Sequence, residues 1–120
     1  MQHSPGFVKL CSDARTRIRE ISVVEAAQAQ SEGALLIDVR EAAEFEKRHA
    51  KDAVHLSKGV IEMKIETVAP ELATRIVCYC GGGYRSALVA DALQKMGYEN
   101  VSSVVGGFKA WEEKGLPTES

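Results

Sequence analysis

Residues 75–86 read RIVCYCGGGYRS: a short apolar run, a cysteine, three glycines in succession, a tyrosine, then an arginine and a serine. The run Ile76 to Cys80 has the composition of a buried strand. The stretch from Tyr84 to Met96 places Leu88, Val89, Ala92, Leu93 and Met96 on one side of a helical period, and Gly97 stops it. Strand, glycine turn and helix in immediate succession is the connection used between parallel strands, and it decides the fold class. A glycine where alanine would serve costs roughly 0.5–1 kcal/mol in chain freedom. Three together are kept where backbone must bend sharply or approach something closely.

The same alternation extends in both directions. Ile21 leads into SVVE, where Ser22 and Glu25 have the spacing of a capping box, and VVEAAQAQ continues as a short helix ending before Gly33. ALLIDV, residues 34–39, is apolar at consecutive positions, as expected of a strand buried on both faces. EAAEFEKRH follows with an acidic start and a basic end that suit a helix dipole. A short strand is expected around Ala53 to Leu56 and a helix over GVIEMKIE. VSSVV then reads as the fifth strand, and GFKAWEEKG as a last helix stopped by Gly115 and Pro117. The expected architecture is α/β, a five-stranded, mostly parallel sheet with helices on both faces. Residues 1–18 fall outside the alternation and are expected to be an N-terminal arm or an extra helix, with the domain proper over 19–120.

Composition narrows the function. At 120 residues and 45% hydrophobic content, the chain supports one core. A net charge of -2 offers no basic excess for a nucleic-acid backbone or an anionic membrane surface, so neither is an expected partner. No apolar run approaches the length of a membrane span, and MQHSPGFVKLCSDARTR lacks the apolar core of a secretory leader. A cytoplasmic protein is expected. Three cysteines, Cys11, Cys78 and Cys80, are an odd number without the spacing of a disulfide framework, which leaves at least one thiol free.

The glycine loop lies where a buried parallel strand passes into a helix N-terminus, at the carboxyl edge of the sheet where α/β folds bind ligands. Backbone N–H groups there have no helical partner, and glycines let them curl around one point. An anion on Cys80 would be cradled, with Arg85 near the helix start to add positive charge. The loop is suited to a sulfur anion.

LLIDVREAAEF, CGGGYRS, LQKMGYENV and VVGGFKAWEEKGLP, in that order, resemble the single-domain rhodaneses over about residues 19 to 117. The resemblance implies a sulfurtransferase in which Cys80 takes the outer sulfur of thiosulfate as a persulfide, leaving sulfite. Cys80 then passes that sulfur to a thiophilic acceptor such as cyanide or a thiol. It implies Cys80 as the nucleophile, with Gly81, Gly82, Gly83, Tyr84, Arg85 and Ser86 forming the substrate-binding loop. Gly106, Gly107 and Trp111 match a structural motif. Because the sulfur is carried covalently, neither metal nor organic cofactor is expected. Donor and acceptor are small molecules, and a protein can equally serve as either.

The chain departs from the family pattern between Arg48 and Ser57, where Arg48, Ala50, Asp52 and Ser57 replace an expected glycine, isoleucine, glycine and proline. Aspartate can adopt the left-handed conformation that the glycine would supply, so the fold is expected to survive. Two other functions compete. Related phosphatases and arsenate reductases place five residues between cysteine and arginine to wrap a tetrahedral oxyanion, whereas Gly81 to Tyr84 make four. A non-catalytic binding or persulfide-relay module is the other reading, against which the intact cysteine argues. Cys78 is expected to be a buried core thiol, and Cys11 an exposed residue without a role. Asp38 and Arg40 are read as structural, the first capping a turn and the second pairing with an acid. Phe108 and Trp111 are read as core. Arg85 either supplies charge or braces the loop through Glu41 or Glu44.

Overall fold

In the computed structural model, which describes residues 3–120, Ser4 starts helix α1 (Pro5–Arg15). Its hydroxyl accepts from the Phe7 amide at 3.3 Å, and Pro5 occupies the first helical turn, where its missing N–H is not needed. Strand β1 (Arg19–Ile21) follows, then α2 (Val23–Ser31), opened by the expected capping box. The Ser22 hydroxyl accepts from the Glu25 amide at 3.1 Å, and the Glu25 carboxylate accepts from the Ser22 amide at 2.9 Å. Strand β2 (Leu35–Asp38) leads to α3 (Ala42–Lys47), at whose start the Glu44 carboxylate accepts from the Glu41 amide at 3.1 Å.

Beyond α3 come two very short strands, β3 (His49–Ala50) and β4 (Val54–His55), then α4 (Ile61–Val68), β5 (Ile76–Tyr79) and α5 (Arg85–Lys95). The chain ends with β6 (Val101–Val104), α6 (Gly107–Glu113) and β7 (Thr118–Glu119).

The main sheet has five strands in the order β1-β6-β5-β2-β4, and every pairing in it is parallel. Successive side chains of a strand point to opposite faces, so two cores form. Ile37, Ile76 and Cys78 face α4 and α5 together with Ile61, Ile65, Val89 and Leu93; Leu36, Val77 and Tyr79 face α2 and α6 with Val23, Ala26, Phe108 and Trp111. The consecutive apolar runs reflect burial on both faces. Phe108 and Trp111 are core, as expected.

Two features differ from the sequence reading or extend it. β3 and β7 pair antiparallel apart from the main sheet, His49 opposite Glu119 and Ala50 opposite Thr118. Two-residue strands joined across the chain carry no periodicity to read. Asp52 takes φ +64, the left-handed conformation anticipated at that position, and its amide donates to the Glu119 carboxylate at 3.0 Å. The altered Arg48–Ser57 segment is therefore tied down by the C-terminal strand.

The chain leaves β2 toward the β4 edge and leaves β5 toward the β1 edge, so the carboxyl ends of β2 and β5 flank the point where connections diverge. That crevice is where α/β sheets bind ligands. The loop after β5 is Cys80 to Tyr84, and the turn after β2 delivers α3 alongside it.

Candidate active site

Cys80 directly follows β5 and packs in the same core as Cys78, yet the two thiols differ. Cys78 is fully enclosed, and burial pushes its thiol up to about 12, which makes it an inert core group. Cys80 is 1% exposed but lies at the floor of a cleft of about 620 Å³ at the sheet edge. The Gly83 amide donates to its Sγ at 3.1 Å, and Sγ donates to the Ser86 hydroxyl at 3.5 Å. Behind Ser86 lies the Ser103 hydroxyl at 2.8 Å, on the neighbouring strand β6. A hydroxyl can turn its proton either way. When the sulfur is anionic, Ser86 can donate to it while Ser103 donates to Ser86.

Gly83 is required for this geometry. It has φ +98, and a Cβ there would press to 3.2 Å on the Val104 carbonyl oxygen. The left-handed conformation turns its N–H back onto the sulfur at little steric cost only without a side chain. The cradle is narrower than expected: among the described residues, Gly83 is the one backbone donor on Sγ, and Gly81 and Gly82 are not. The Gly81 carbonyl is occupied otherwise, accepting from the Lys109 amide at 3.1 Å, while the Cys80 carbonyl accepts from Phe108 at 2.7 Å. The N-terminus of α6 thus grips the loop from beneath. Gly107 makes that approach possible: at φ +53, a Cβ would lie 2.8 Å from the Gly81 carbonyl carbon and closer still to the Cys80 oxygen.

Arg85 is braced by Glu44 through two hydrogen bonds, of 2.8 and 3.2 Å. The Arg85 hydrogen bonds hold the Glu44 carboxyl below the usual carboxylate range. Both side chains are about one-third exposed, so the pair contributes at most about 1 kcal/mol to stability; its consequence is positional. The guanidinium lies against Gly81, where an added Cβ would sit 3.1 Å from Nη2.

A family model described as the rhodanese-like domain matches residues 22–114. The chain belongs to the rhodanese-like domain family. Relatives of this rhodanese-like domain include the thiosulfate sulfurtransferase GlpE of Actinobacillus succinogenes, 38% identical over 76% of this chain and 80% of that protein. GlpE of Vibrio cholerae is 37% identical over 81% and 92% of the two chains. Among solved structures, the polysulfide-sulfur transferase homodimer of Wolinella succinogenes superposes with a TM-score of 0.82 at 25% identity, over 95% of this chain and 87% of that one. A Rhodopseudomonas palustris protein of unknown function, named there as a possible tyrosine phosphatase, gives 0.87 at 27% identity over 99% and 98%.

Within this rhodanese-like domain, Cys80, Gly82, Tyr84 and Arg85 line the cleft. Gly81 and Gly83 are not among the lining residues, and Ser86 is fully buried behind the sulfur rather than facing the opening. Asp38 and Arg40 pair with each other: the buried carboxylate accepts from the Arg40 amide at 2.9 Å and from its guanidinium at 2.8 Å, and from the Tyr79 hydroxyl at 2.6 Å. They fix the turn after β2.

The expectation for Cys11 was wrong. It is fully buried between α1 and α5, with Sγ 3.5 Å from the Tyr84 carbonyl, and burial raises its thiol. Sequence reasoning missed this because nothing in PGFVKLCSDAR reveals which helix it meets. It also missed that His3, Ser4, Phe7 and Lys58 line the cleft. The Ser-Pro signal for a helix start was legible; the place where that helix docks was not. Arg15 completes the docking, donating to the Gly83 carbonyl at 3.1 Å with its guanidinium 4.6 Å from the centre of the Tyr84 ring.

Proposed function

We propose that this protein is a sulfurtransferase that moves sulfane sulfur from thiosulfate, or from a persulfide donor, to a thiophilic acceptor through a persulfide on Cys80. The observation that carries the reading is the Cys80 sulfur at the cleft floor with the Gly83 amide aimed at it. In the first step the Cys80 thiolate attacks the outer sulfur of thiosulfate. The new S–S bond forms on Cys80 as the old one breaks, and sulfite leaves with the electron pair. In the second, cyanide or a thiolate takes the terminal sulfur and Cys80 is released as a thiolate. The Gly83 amide and the Ser86 hydroxyl stabilise sulfur anions in both steps. The names of the GlpE relatives support the same chemistry.

The loop residues Gly81 to Ser86 serve as the binding loop in this reading, with Arg85 held in place by Glu44. Residues 1–18 are an appendage to a domain of residues 19–120, in keeping with a family match that starts at residue 22. Three unpaired thiols suit a reducing compartment, and we place the protein in the cytoplasm on that ground. Among the described residues no helix is long and apolar enough to cross a membrane. The donor and acceptor are small molecules, and a protein can stand in for either.

The phosphatase reading rests on the same loop cysteine and arginine. Here Arg85 is turned to Glu44, and among the described residues one amide meets the sulfur, an arrangement that suits a sulfur atom better than three phosphoryl oxygens. Thiocyanate formation from thiosulfate and cyanide, run beside hydrolysis of p-nitrophenyl phosphate, tests the assignment. Thiocyanate formation dependent on Cys80 is expected. Phosphate release without thiocyanate would overturn it.

A further inference from the structure

The cleft above Cys80 has a wall that the shared domain does not supply. The family match begins at residue 22, whereas His3, Ser4 and Phe7 belong to α1 and the residues just before it. The His3 ring lies 4.3 Å from the Tyr84 ring and 5.1 Å from Phe7, and Phe7 stacks with Tyr84 at 6.1 Å. The Arg15 guanidinium also lies over the Tyr84 ring and donates to the Gly83 carbonyl. This aromatic wall rises from one side of the cleft that holds the sulfur.

The formal charges lining the cleft are as informative as the wall. Arg85, Lys58 and Glu44 line it. Glu44 binds both terminal nitrogens of Arg85, so that cation is neutralised by its neighbour. Among the described residues Lys58 forms no ion pair, and Arg15 is committed to the Gly83 carbonyl and to Glu20. Among the described residues that line the cleft, Lys58 is then the one uncompensated cation. Thiosulfate is a small dianion with nothing to set against an aromatic wall, and the cleft is far roomier than it requires.

We propose that the cleft selects a sulfane-sulfur donor carrying one negative charge and an apolar substituent, an organic thiosulfonate or persulfide, over thiosulfate, and that Phe7, His3 and Tyr84 determine this preference. The inference rests on the sulfurtransferase reading and names its donor class. With a thiosulfonate, R–SO2–S⁻, the Cys80 thiolate attacks the terminal sulfur. The bond to the sulfonyl sulfur breaks, the sulfinate R–SO2⁻ leaves with the electron pair, and the persulfide anion remains on Cys80. With a persulfide, R–S–S⁻, the same attack releases the thiolate R–S⁻. Neither step requires an oxidant, a reductant or a proton. The substituent R lies along Phe7 and Tyr84, and Lys58 faces the single charge.

Three probes separate charge from wall: thiosulfate, methanethiosulfonate and benzenethiosulfonate, with a small alkyl persulfide as a fourth arm to distinguish the two donor sources. Each kcat/KM is divided by the donor's rate with a free cysteine derivative, to remove intrinsic reactivity. Methanethiosulfonate is expected to exceed thiosulfate, and benzenethiosulfonate to exceed methanethiosulfonate by about tenfold, the scale of one good aromatic contact. Phe7→Ala should lower the benzene-to-methane ratio by about fivefold or more, and Phe7→Leu, which keeps an apolar side chain against Tyr84, should retain most of it. Circular dichroism checks that both variants fold. Glu44→Gln should lower the methanethiosulfonate-to-thiosulfate ratio by freeing the Arg85 charge. A corrected rate for thiosulfate above that for methanethiosulfonate, or a benzene-to-methane ratio that Phe7→Ala leaves unmoved, would overturn the proposal. The mass of Cys80 after each donor keeps the two claims apart. Persulfide from none of the four sinks the sulfurtransferase reading itself, whereas persulfide from all with thiosulfate ahead sinks only the donor preference.

Discussion

Replacing Gly107 by alanine tests how the loop is held. Gly107 has φ +53, and a Cβ there would lie 2.8 Å from both the carbonyl carbon and the oxygen of Gly81, and closer to the Cys80 oxygen, so backbone rather than a flexible side chain must move. Placing a Cβ in a left-handed conformation costs roughly 1–2 kcal/mol. Retreat of α6 would also break the bonds from Phe108 to the Cys80 carbonyl and from Lys109 to that of Gly81, each contributing about 0.5–1.5 kcal/mol. The sum is about 3 kcal/mol, or a fall in melting temperature of about 10–15 °C for a domain of this size. Turnover should fall further than stability, because a shift of about 1 Å in a reacting group can cost on the order of 100-fold. Gly115 is the control: its φ is +73, but nothing lies within 4 Å of an added Cβ, so Gly115→Ala should cost about 1–2 kcal/mol and spare the catalytic rate. Melting by circular dichroism and thiocyanate formation on both variants at a temperature where both are folded decide the matter. Equal melting temperatures for the two variants, with Gly107→Ala still active, would refute the claim that α6 positions the loop.

Further outcomes follow from the same geometry. Cys80→Ser should abolish sulfur transfer while Cys78→Ser retains most of it at equal folded content, since only Cys80 reaches the cleft. Thiocyanate assays read this directly. Arg85→Lys keeps the charge but can satisfy only part of the two-bonded brace to Glu44, so activity should drop by about tenfold or more despite an unchanged net charge; near-normal turnover would mean that charge alone matters. The carboxyls of Glu44, Asp91 and Glu119 sit below their ordinary values, Glu44 and Asp91 chiefly through arginine hydrogen bonds and Glu119 through the Asp52 amide. Folded values lower than unfolded ones give stability that is present above the ordinary values of 4.5 and 3.8 and is lost as pH falls through the folded values. Melting temperature should be level above about pH 5 and decline below pH 4, with a smaller decline in Glu44→Gln.

The sequence revealed those parts of the molecule whose cause is local. ALLIDV and RIVCYC, but for Asp38 and Arg75, are apolar at successive positions because both faces of β2 and β5 are covered, and Ser22 with Glu25 announces α2 by its own hydrogen bonds. At the start of α3 the Glu44 carboxylate makes the corresponding bond to the Glu41 amide, but glutamate at 41 is an unusual capping residue and gives no such notice. Contacts between distant segments were silent. Nothing in His49–Ala50 or Thr118–Glu119 indicates that they pair, and Cys11 could not be assigned to the interior before α1 was seen against α5. The site divides along the same line. Cys80, its glycines and Arg85 sit within one short loop and are readable together, with Glu44 as one of two candidate braces, whereas Phe7 and Lys58 reach the cleft from distant parts of the chain and give no such notice.

The central claim is that Cys80 carries sulfur as a persulfide, and intact-protein mass spectrometry tests it most directly. Reduced protein is incubated with thiosulfate, or with benzenethiosulfonate as the donor better matched to the cleft, weighed, treated with cyanide and weighed again. The account predicts a gain of one sulfur atom, located to the peptide containing Cys80, abolished in Cys80→Ser and reversed by cyanide with release of thiocyanate. An unchanged mass with both donors, while Cys80 is shown to be reduced and open to alkylation, would contradict it.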